Sequence, residues 1–203
     1  MRIFRPGFLG SCLYPGALFR IETTEKILYL TFDDGPDPLS TLQLLRILQT
    51  YRIPAVFFCK GLEGERYFEL VNQIRSKGHI IGNHGYNHLD GWRTDAVSYA
   101  YDVMMASEFT SDKIFRPPFG KLTPKQLKLL SSYKIILWDL MVYDFDVTFG
   151  SERSLQVLKT RMRPGSIIVL HDTVTSCANT ILEEFIIFAL KEGYRFELIN
   201  VSV

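Results

Sequence analysis

The sequence predicts an α/β fold in which parallel strands are covered by helices, and three observations carry that expectation. Short apolar runs alternate with longer stretches of helical period along the chain. Glycine follows charged helix ends at Gly78 and Gly193, as C-terminal stops do. Polar and ionisable residues gather just past several apolar runs, where both barrels and open doubly wound sheets place their working groups.

Taken in order, Ile27–Phe32 is the first buried strand. A helix over Leu39–Tyr51 follows, with Leu39, Leu42, Leu45 and Leu48 at three-residue spacing beside Leu44 and Ile47, which gives one apolar face. Ala55–Cys59 is the second strand, Arg66–Lys77 a helix closed by Gly78, and Ile80–Gly82 the third strand. A helix over Thr94–Thr110 leads to a short strand, Ile114–Phe115, and Thr123–Ser132 is again helical. Ile135–Trp138, Ile167–Leu170 and Arg195–Ile199 complete seven strands, separated by helices over Ser151–Arg161 and Thr180–Lys191. With 203 residues the chain falls short of the roughly 250 of an eight-fold barrel, so a barrel is expected to be small and incomplete. An open doubly wound sheet satisfies the same pattern.

No internal repeat or linker divides the chain. One domain over residues 26–203 is expected, with residues 1–25 as a lead-in packed on it. Glycines and prolines interrupt the apolar N-terminus, and no stretch reaches the roughly 18 apolar residues that span a bilayer. Phe4, Phe8, Leu9, Leu13, Tyr14 and Phe19 are expected to pack under the domain, with membrane-surface contact as the alternative. No export signal is evident, so a cytoplasmic location is expected. Basic and acidic side chains nearly balance, 23 against 22, which gives no reason to expect a nucleic-acid partner. Cys12, Cys59 and Cys177 form no CxxC pair and read as small apolar fillers, and unpaired thiols favour a reducing compartment.

Chemistry concentrates in four strings. Tyr29-Leu-Thr-Phe-Asp-Asp-Gly-Pro36 sets two adjacent carboxylates where a buried strand meets a tight turn. Strand neighbours face opposite sides, but the turn breaks that alternation and lets both enter one mouth. Close carboxylates repel unless a cation sits beside them, which suits one as metal ligand and the other as base. His84-Gly-Tyr-Asn-His88 sets two imidazoles at i and i+4, which share a face on a helical turn and suit two nitrogen ligands of a zinc-like ion. With Asp33 or Asp34 they make an Asp-His-His set that leaves a coordination position for water. Arg116-Pro-Pro-Phe-Gly120 is expected as a stiff extended loop, because each proline excludes helical geometry from the residue before it. That loop fixes Arg116 and aims the Phe119 N–H as a candidate oxyanion donor. Ser166–Asp172 ends an apolar strand with His171, a candidate proton donor at the same rim. Asn83, Asp139 and Asp172 are expected at that rim as well, each following a strand.

On these strings the chain resembles the NodB-homology polysaccharide deacetylases, carbohydrate esterase family 4, from about Lys26 to Leu198. Thr31-Phe-Asp-Asp-Gly-Pro36 matches the first family motif in full, and the His-x-x-x-His pair matches the second. Arg116–Gly120 matches the third, and the apolar strand ending in His171 the fifth. The resemblance implies a distorted (β/α) barrel, commonly with seven strands. It also implies a metal-dependent hydrolase that releases acetate from an N-acetylated (or O-acetylated) sugar or glycan. In that scheme Asp33 is the general base, and Asp34, His84 and His88 hold Zn²⁺ or another divalent ion such as Co²⁺. Arg116 orients Asp33, His171 is the general acid, and the Phe119 N–H joins the metal at the oxyanion.

Two positions depart from the family pattern. Gly85 stands where Ser or Thr usually follows the first metal histidine. The fourth motif reads Met141-Val-Tyr-Asp-Phe145, so Met141 stands where an Asp often supports the acidic histidine, and Asp144 and Phe145 keep the second acid and the aromatic. Either Asp139 or Asp172 is expected to supply the missing carboxylate, or else His171 is less readily protonated at neutral pH. Tyr86, Trp92, Trp138, Tyr143 and Phe145 are expected in or near the mouth, either to stack on sugar rings or to serve as ordinary core residues. Two rival readings are a glycan-binding domain with little catalysis and a metal-dependent hydrolase of a non-sugar amide or ester. The intact Asp33, Asp34, His84, His88, Arg116 and His171 speak against the first, since binding alone needs neither base nor acid.

Overall fold

Residues 4–6, 10 and 12–200 are described by the computed structural model of the chain. Its strands are β1 (Ile27–Asp33), β2 (Val56–Cys59), β3 (Ile80–Asn83), β4 (Ile114–Phe115), β5 (Lys134–Ile135), β6 (Leu140–Met141), β7 (Ser166–His171) and β8 (Arg195–Phe196). The helices are α1 (Ser40–Tyr51), α2 (Gly61–Arg66), α3 (Phe68–Ser76), α4 (Ala96–Ser107), α5 (Pro124–Leu129), α6 (Ser151–Arg161) and α7 (Ala178–Lys191). Seven strands run in the order β5-β4-β3-β2-β1-β7-β6, all parallel, and form the half-barrel of an incomplete (β/α) barrel. Leu28 pairs with Ser166 of β7 and also with Phe196 of β8, so β8 takes the opposite edge of β1, below the point where β2 begins.

The central strand β1 is buried along its whole length, as a parallel strand covered on both faces must be. Its alternation sorts the core. Leu28, Leu30 and Phe32 face the helices and pack with Leu44, Leu45 and Leu48 of α1 and with Phe185 and Ile186 of α7. Tyr29 faces the other way, into an inner cluster with Val56, Phe58, Ile136 and Ile167. By the same period Thr31 and Asp33 point into the half-barrel.

The lead-in bridges the open side. Leu18 pairs with Ile136 beside β5, and Arg20 pairs with Ser166 at the start of β7. Tyr14 is buried, with its hydroxyl accepting a hydrogen bond from the Leu122 N–H at 3.1 Å, and Phe4 packs on the main core. Leu13 is exposed, while Phe8 and Leu9 lie outside the described residues. No helix among the described residues is long and apolar enough to cross a membrane. The three cysteines are unpaired, Cys59 fully buried among apolar neighbours.

Three differences from the sequence expectation matter. The helix expected over Arg66–Lys77 is α3, Phe68–Ser76, and a further helix, α2, precedes it at Gly61–Arg66, where Gly61 packs closely on the loop after β3. A Cβ at Gly61 would stand 2.6 Å from the Tyr86 ring and 2.7 Å from Ala106 Cα. The expected strand Ile135–Trp138 pairs only at its start, and a separate edge strand, β6, follows at Leu140–Met141. At the C-terminus, Arg195–Ile199 pairs only at Arg195 and Phe196, although Ile199 stays buried in the inner cluster.

Candidate active site

A cavity of about 470 Å³ opens beyond the carboxyl ends of β1, β3, β4, β6 and β7. Asp33, Asp34, His84, His88 and His171 supply its ionisable groups, and Pro6, Pro117, Phe119, Trp138, Met141, Tyr143 and Phe145 supply its walls. Asp34, His88, Phe119 and Tyr143 all have φ between 57° and 76°. Among the described residues Arg52, at the C-terminal cap of α1, is the one other non-glycine residue in that region. Backbone held in such sparsely populated conformations clusters where a site needs fixed geometry.

Asp34 and the two histidines converge. His88 Nε2 lies 3.1 Å and His84 Nε2 3.6 Å from Asp34 Oδ1, and the three ligand atoms lie within 4.8 Å of one another. The left-handed turn at Asp34 breaks strand alternation and brings its carboxylate beside Asp33. The two histidines lie not on a helical turn, as the sequence suggested, but on an irregular loop with Gly85 at φ 73° and His88 at φ 58°. That loop brings them together all the same.

The donor chemistry fits a divalent cation. His84 Nδ1 lies 2.7 Å from the Arg116 carbonyl, which can only accept, so Nδ1 carries the ring proton and Nε2 offers a lone pair towards Asp34. Burial pulls the His84 pKa down to about 4 against the opposing pull of Asp33 and Asp34, which leaves the ring neutral at pH 7. Asp34 Oδ1 is buried and no N–H meets it in hydrogen-bond geometry, despite the nearness of His88. Burial alone would raise the Asp34 carboxyl, but the His88, His84 and His171 rings outweigh it and hold it well below the carboxylate range. Two ligands bonded to a tetrahedral zinc ion at about 2.0–2.1 Å stand about 3.3 Å apart, close to the distances of Asp34 Oδ1 from the two histidine nitrogens.

Asp33 stays beside this set, its Oδ2 4.0 Å from His84 Nε2. Its other oxygen accepts from Arg116 Nη1 at 2.6 Å. Arg116 is fully buried, and every nitrogen of its guanidinium is engaged. Nε donates to the Ile136 carbonyl, Nη2 to the Leu137 carbonyl, and Nη1 also to the Thr31 hydroxyl, while Phe58 covers the planar face at 4.1 Å. Burial lowers the Arg116 pKa and Asp33 opposes that. The Arg-Pro-Pro string runs extended through Pro117, then turns over Pro118–Gly120 with Phe119 at φ 59°, which places the Phe119 ring edge-on to His88 at 4.6 Å.

His171, the Cα partner of Asp33 across β1 and β7, takes its carboxylate from Asp144. Its Nδ1–H donates to Asp144 Oδ1 at 2.9 Å, and its backbone N–H donates to Asp144 Oδ2 at 2.7 Å. Burial alone would lower the ring pKa, but Asp144, by charge and hydrogen bond, and then Asp33 and Asp34 push it up to about 9.

Neither Asp139 nor Asp172 fills that role, which corrects the sequence expectation. Asp139 immediately precedes β6, so it lies at the strand's amino end, away from the cavity. There it is bound by Arg163, by Ser166 Oγ at 2.6 Å and by Arg5 at 3.3 Å. Asp172 follows His171 and by alternation faces the helix layer, where its Oδ2 accepts from Thr41 Oγ1 at 2.6 Å. Burial there pushes its pKa up to about 7.

Of the aromatics expected at the mouth, Trp138, Tyr143 and Phe145 line the cavity. Phe145 stands edge-on to His171 at 4.6 Å. Tyr86 lies outside the lining, its hydroxyl turned to Glu65 and its ring to Phe109. Trp92 is also outside, its indole N–H donating to the Leu122 carbonyl at 3.3 Å. Pro6 enters the wall without any sequence signal, because the lead-in is drawn there by the Arg5–Asp139 pair and by the Met141 N–H, which donates to the Phe4 carbonyl at 3.0 Å.

Comparison with known proteins gives a consistent neighbourhood. Residues 20–137 match the profile of a family described as polysaccharide deacetylase. A peptidoglycan-N-acetylglucosamine deacetylase of Bacillus cereus is 31% identical over 192 residues, 90% of each chain. A chitooligosaccharide deacetylase of Bradyrhizobium is 30% identical over 156 residues, 72% of this chain and 71% of the relative. A crystal structure of a peptidoglycan N-acetylglucosamine deacetylase, in complex with 4-naphthalen-1-yl-N-oxidanyl-benzamide, superposes with a TM-score of 0.84 at 26% identity, covering 91% of each chain.

Proposed function

The chain belongs to the polysaccharide deacetylase family, and from that premise we propose that it hydrolyses N-acetyl groups of an acetylated sugar or glycan with the help of one divalent cation. One observation carries the reading. Asp34 Oδ1 and the two imidazole Nε2 atoms converge, while Asp33 stands free of that set and His171 faces the same cavity. A base, a cation site and an acid in one mouth are what amide hydrolysis requires.

Asp34, His84 and His88 would hold the ion. When bound there, it supplies Lewis acidity to the acetyl carbonyl and lowers the pKa of water, to about 7 in well-tuned zinc sites. Asp33 takes the proton of the attacking water, and the Arg116 guanidinium fixes the angle at which its carboxylate is presented. The Phe119 N–H is the oxyanion donor of this scheme. His171 holds its proton under the pull of Asp144 and passes it to the departing sugar nitrogen, so that acetate and a free amino sugar result. Trp138, Tyr143 and Phe145 offer ring faces on which a pyranose can stack.

The names of the relatives, a peptidoglycan and a chitooligosaccharide deacetylase, support an N-acetylhexosamine at the reacting position. The test is acetate release over a panel of N-acetylglucosamine and N-acetylmuramic acid oligomers and O-acetylated xylan, with metal stripped by chelator and then restored. Release from an N-acetylated member, lost on stripping and regained with Zn²⁺ or Co²⁺, is expected. Release that ignores chelation, or none from any N-acetylated sugar, would refute the proposal.

A further inference from the structure

We infer that Asp102 is a positioning residue for the metal-binding loop: its carboxylate, on α4, holds the loop so that the His84 and His88 rings both face Asp34. The inference rests on the proposed reading of Asp34, His84 and His88 as metal ligands.

Asp102 is the single charged residue of α4, and it is buried. An acid turned inward on an otherwise uncharged helix is costly unless donors surround it. Among the described residues its hydrogen bonds all go to the two residues just before His88. Oδ2 accepts from the Tyr86 N–H at 2.8 Å, and Oδ1 accepts from the Asn87 N–H at 3.0 Å and from Asn87 Nδ2 at 2.7 Å. The next residue, His88, sits at φ 58°, a conformation that a non-glycine residue keeps only when its surroundings enforce it. The Asp102 bonds are that enforcement, applied directly upstream.

The loop has no side chain of its own at Gly85 for this purpose. Gly85 has φ 73°, and a Cβ built on it would stand 3.0 Å from Asp102 Oδ2. Its N–H donates to Asn83 Oδ1 at 2.8 Å, and Asn83 Nδ2 donates to the Val103 carbonyl at 2.9 Å. The loop is thus tied to α4 at both ends, through Asn83 before it and Asp102 along it. His84 has a separate anchor in the Arg116 carbonyl, so loss of Asp102 falls chiefly on His88.

The test is zinc affinity of the chelator-stripped full chain, measured by competition with a chromophoric chelator, for wild type, Asp102→Asn, Asp102→Ala and Asn87→Ala. An Asp102→Asn side chain keeps its size but turns an amide donor on N–H groups that need an acceptor. We expect its zinc Kd to rise about 10–100-fold, with kcat returning towards wild type when zinc saturates. Asn87→Ala removes one of the bonds and is expected to weaken zinc by a smaller factor. It decides the matter if the Asp102 variants do not fold. A wild type that binds one zinc beside variants of unchanged Kd overturns the role of Asp102 and leaves the metal reading intact. A wild type that binds no zinc overturns both.

Discussion

Asp144 grips His171 twice, accepting its backbone N–H with one oxygen and its ring Nδ1–H with the other. The double hold fixes the ring, leaves Nε2 for the substrate side, and stabilises the protonated form, so the pKa rises to about 9 against the effect of burial. A general acid must carry its proton, so activity falls as pH rises through that pKa. A bound cation opposes part of the rise, so the alkaline limb in the metal-loaded protein lies below that value. Asp144→Asn removes the nearest negative charge and is expected to move the alkaline limb of kcat/KM down by about one unit or more. An unmoved limb would take His171 out of the acid role.

Asp33→Asn keeps a side chain of the same size next to Arg116 and leaves Asp34, His84 and His88 untouched. Turnover is expected to fall by about 10²–10⁴-fold, the usual contribution of a positioned base, with zinc still bound one per chain. Steady-state kinetics beside a zinc titration checks both halves. Substantial turnover in this variant removes Asp33 as the base.

Arg116 holds together two carbonyls, the Thr31 hydroxyl and the base. Arg116→Met leaves Asp33 buried without its cation and is expected to cost about 3–5 kcal/mol in urea unfolding. Arg116→Lys retains charge but has no planar fork to span the Ile136 and Leu137 carbonyls, so it is expected to restore the stability only in part.

Phe145 is half exposed at the mouth and stands edge-on to His171. If its ring receives a sugar face, Phe145→Ala raises KM for an oligosaccharide by about 3–10-fold, matching an aromatic contact of about 0.5–1.5 kcal/mol. A fall in kcat at unchanged KM would show instead that the ring serves only to pack against His171.

Much of this arrangement was legible in the chain itself, because one buried strand and two short strings place groups at fixed distances. The apolar run Ile27–Phe32 reads as a buried strand, and Asp33-Asp34-Gly35-Pro36 reads as the turn at its end; the structure extends the strand by one residue, to Asp33. One strand is too short to show a period. Leu140–Met141 has two residues, and without it Asp139 reads as following a strand when it in fact precedes one. That strand accounts for Asp139, and adjacency to His171 for Asp172; Asp144, just past β6, is the group that reaches the ring. Tyr86 lies between two candidate ligands in sequence, but in the fold its backbone N–H is held by Asp102 and its hydroxyl turns away from the mouth to Glu65. Asp102 gave no signal in the sequence, because the helix expected over Thr94–Thr110 also carries Asp95 and Glu108; only the folded helix, which runs from Ala96 to Ser107, leaves Asp102 as its one charge.

The most direct trial is anomalous diffraction at the zinc edge from crystals of the chain soaked in Zn²⁺. One peak within bonding distance of Asp34 Oδ1, His84 Nε2 and His88 Nε2, with Asp33 outside its coordination shell, is the predicted result. Zinc absent from that position at saturating soak, or bound there through Asp33 with either histidine turned away, would contradict it.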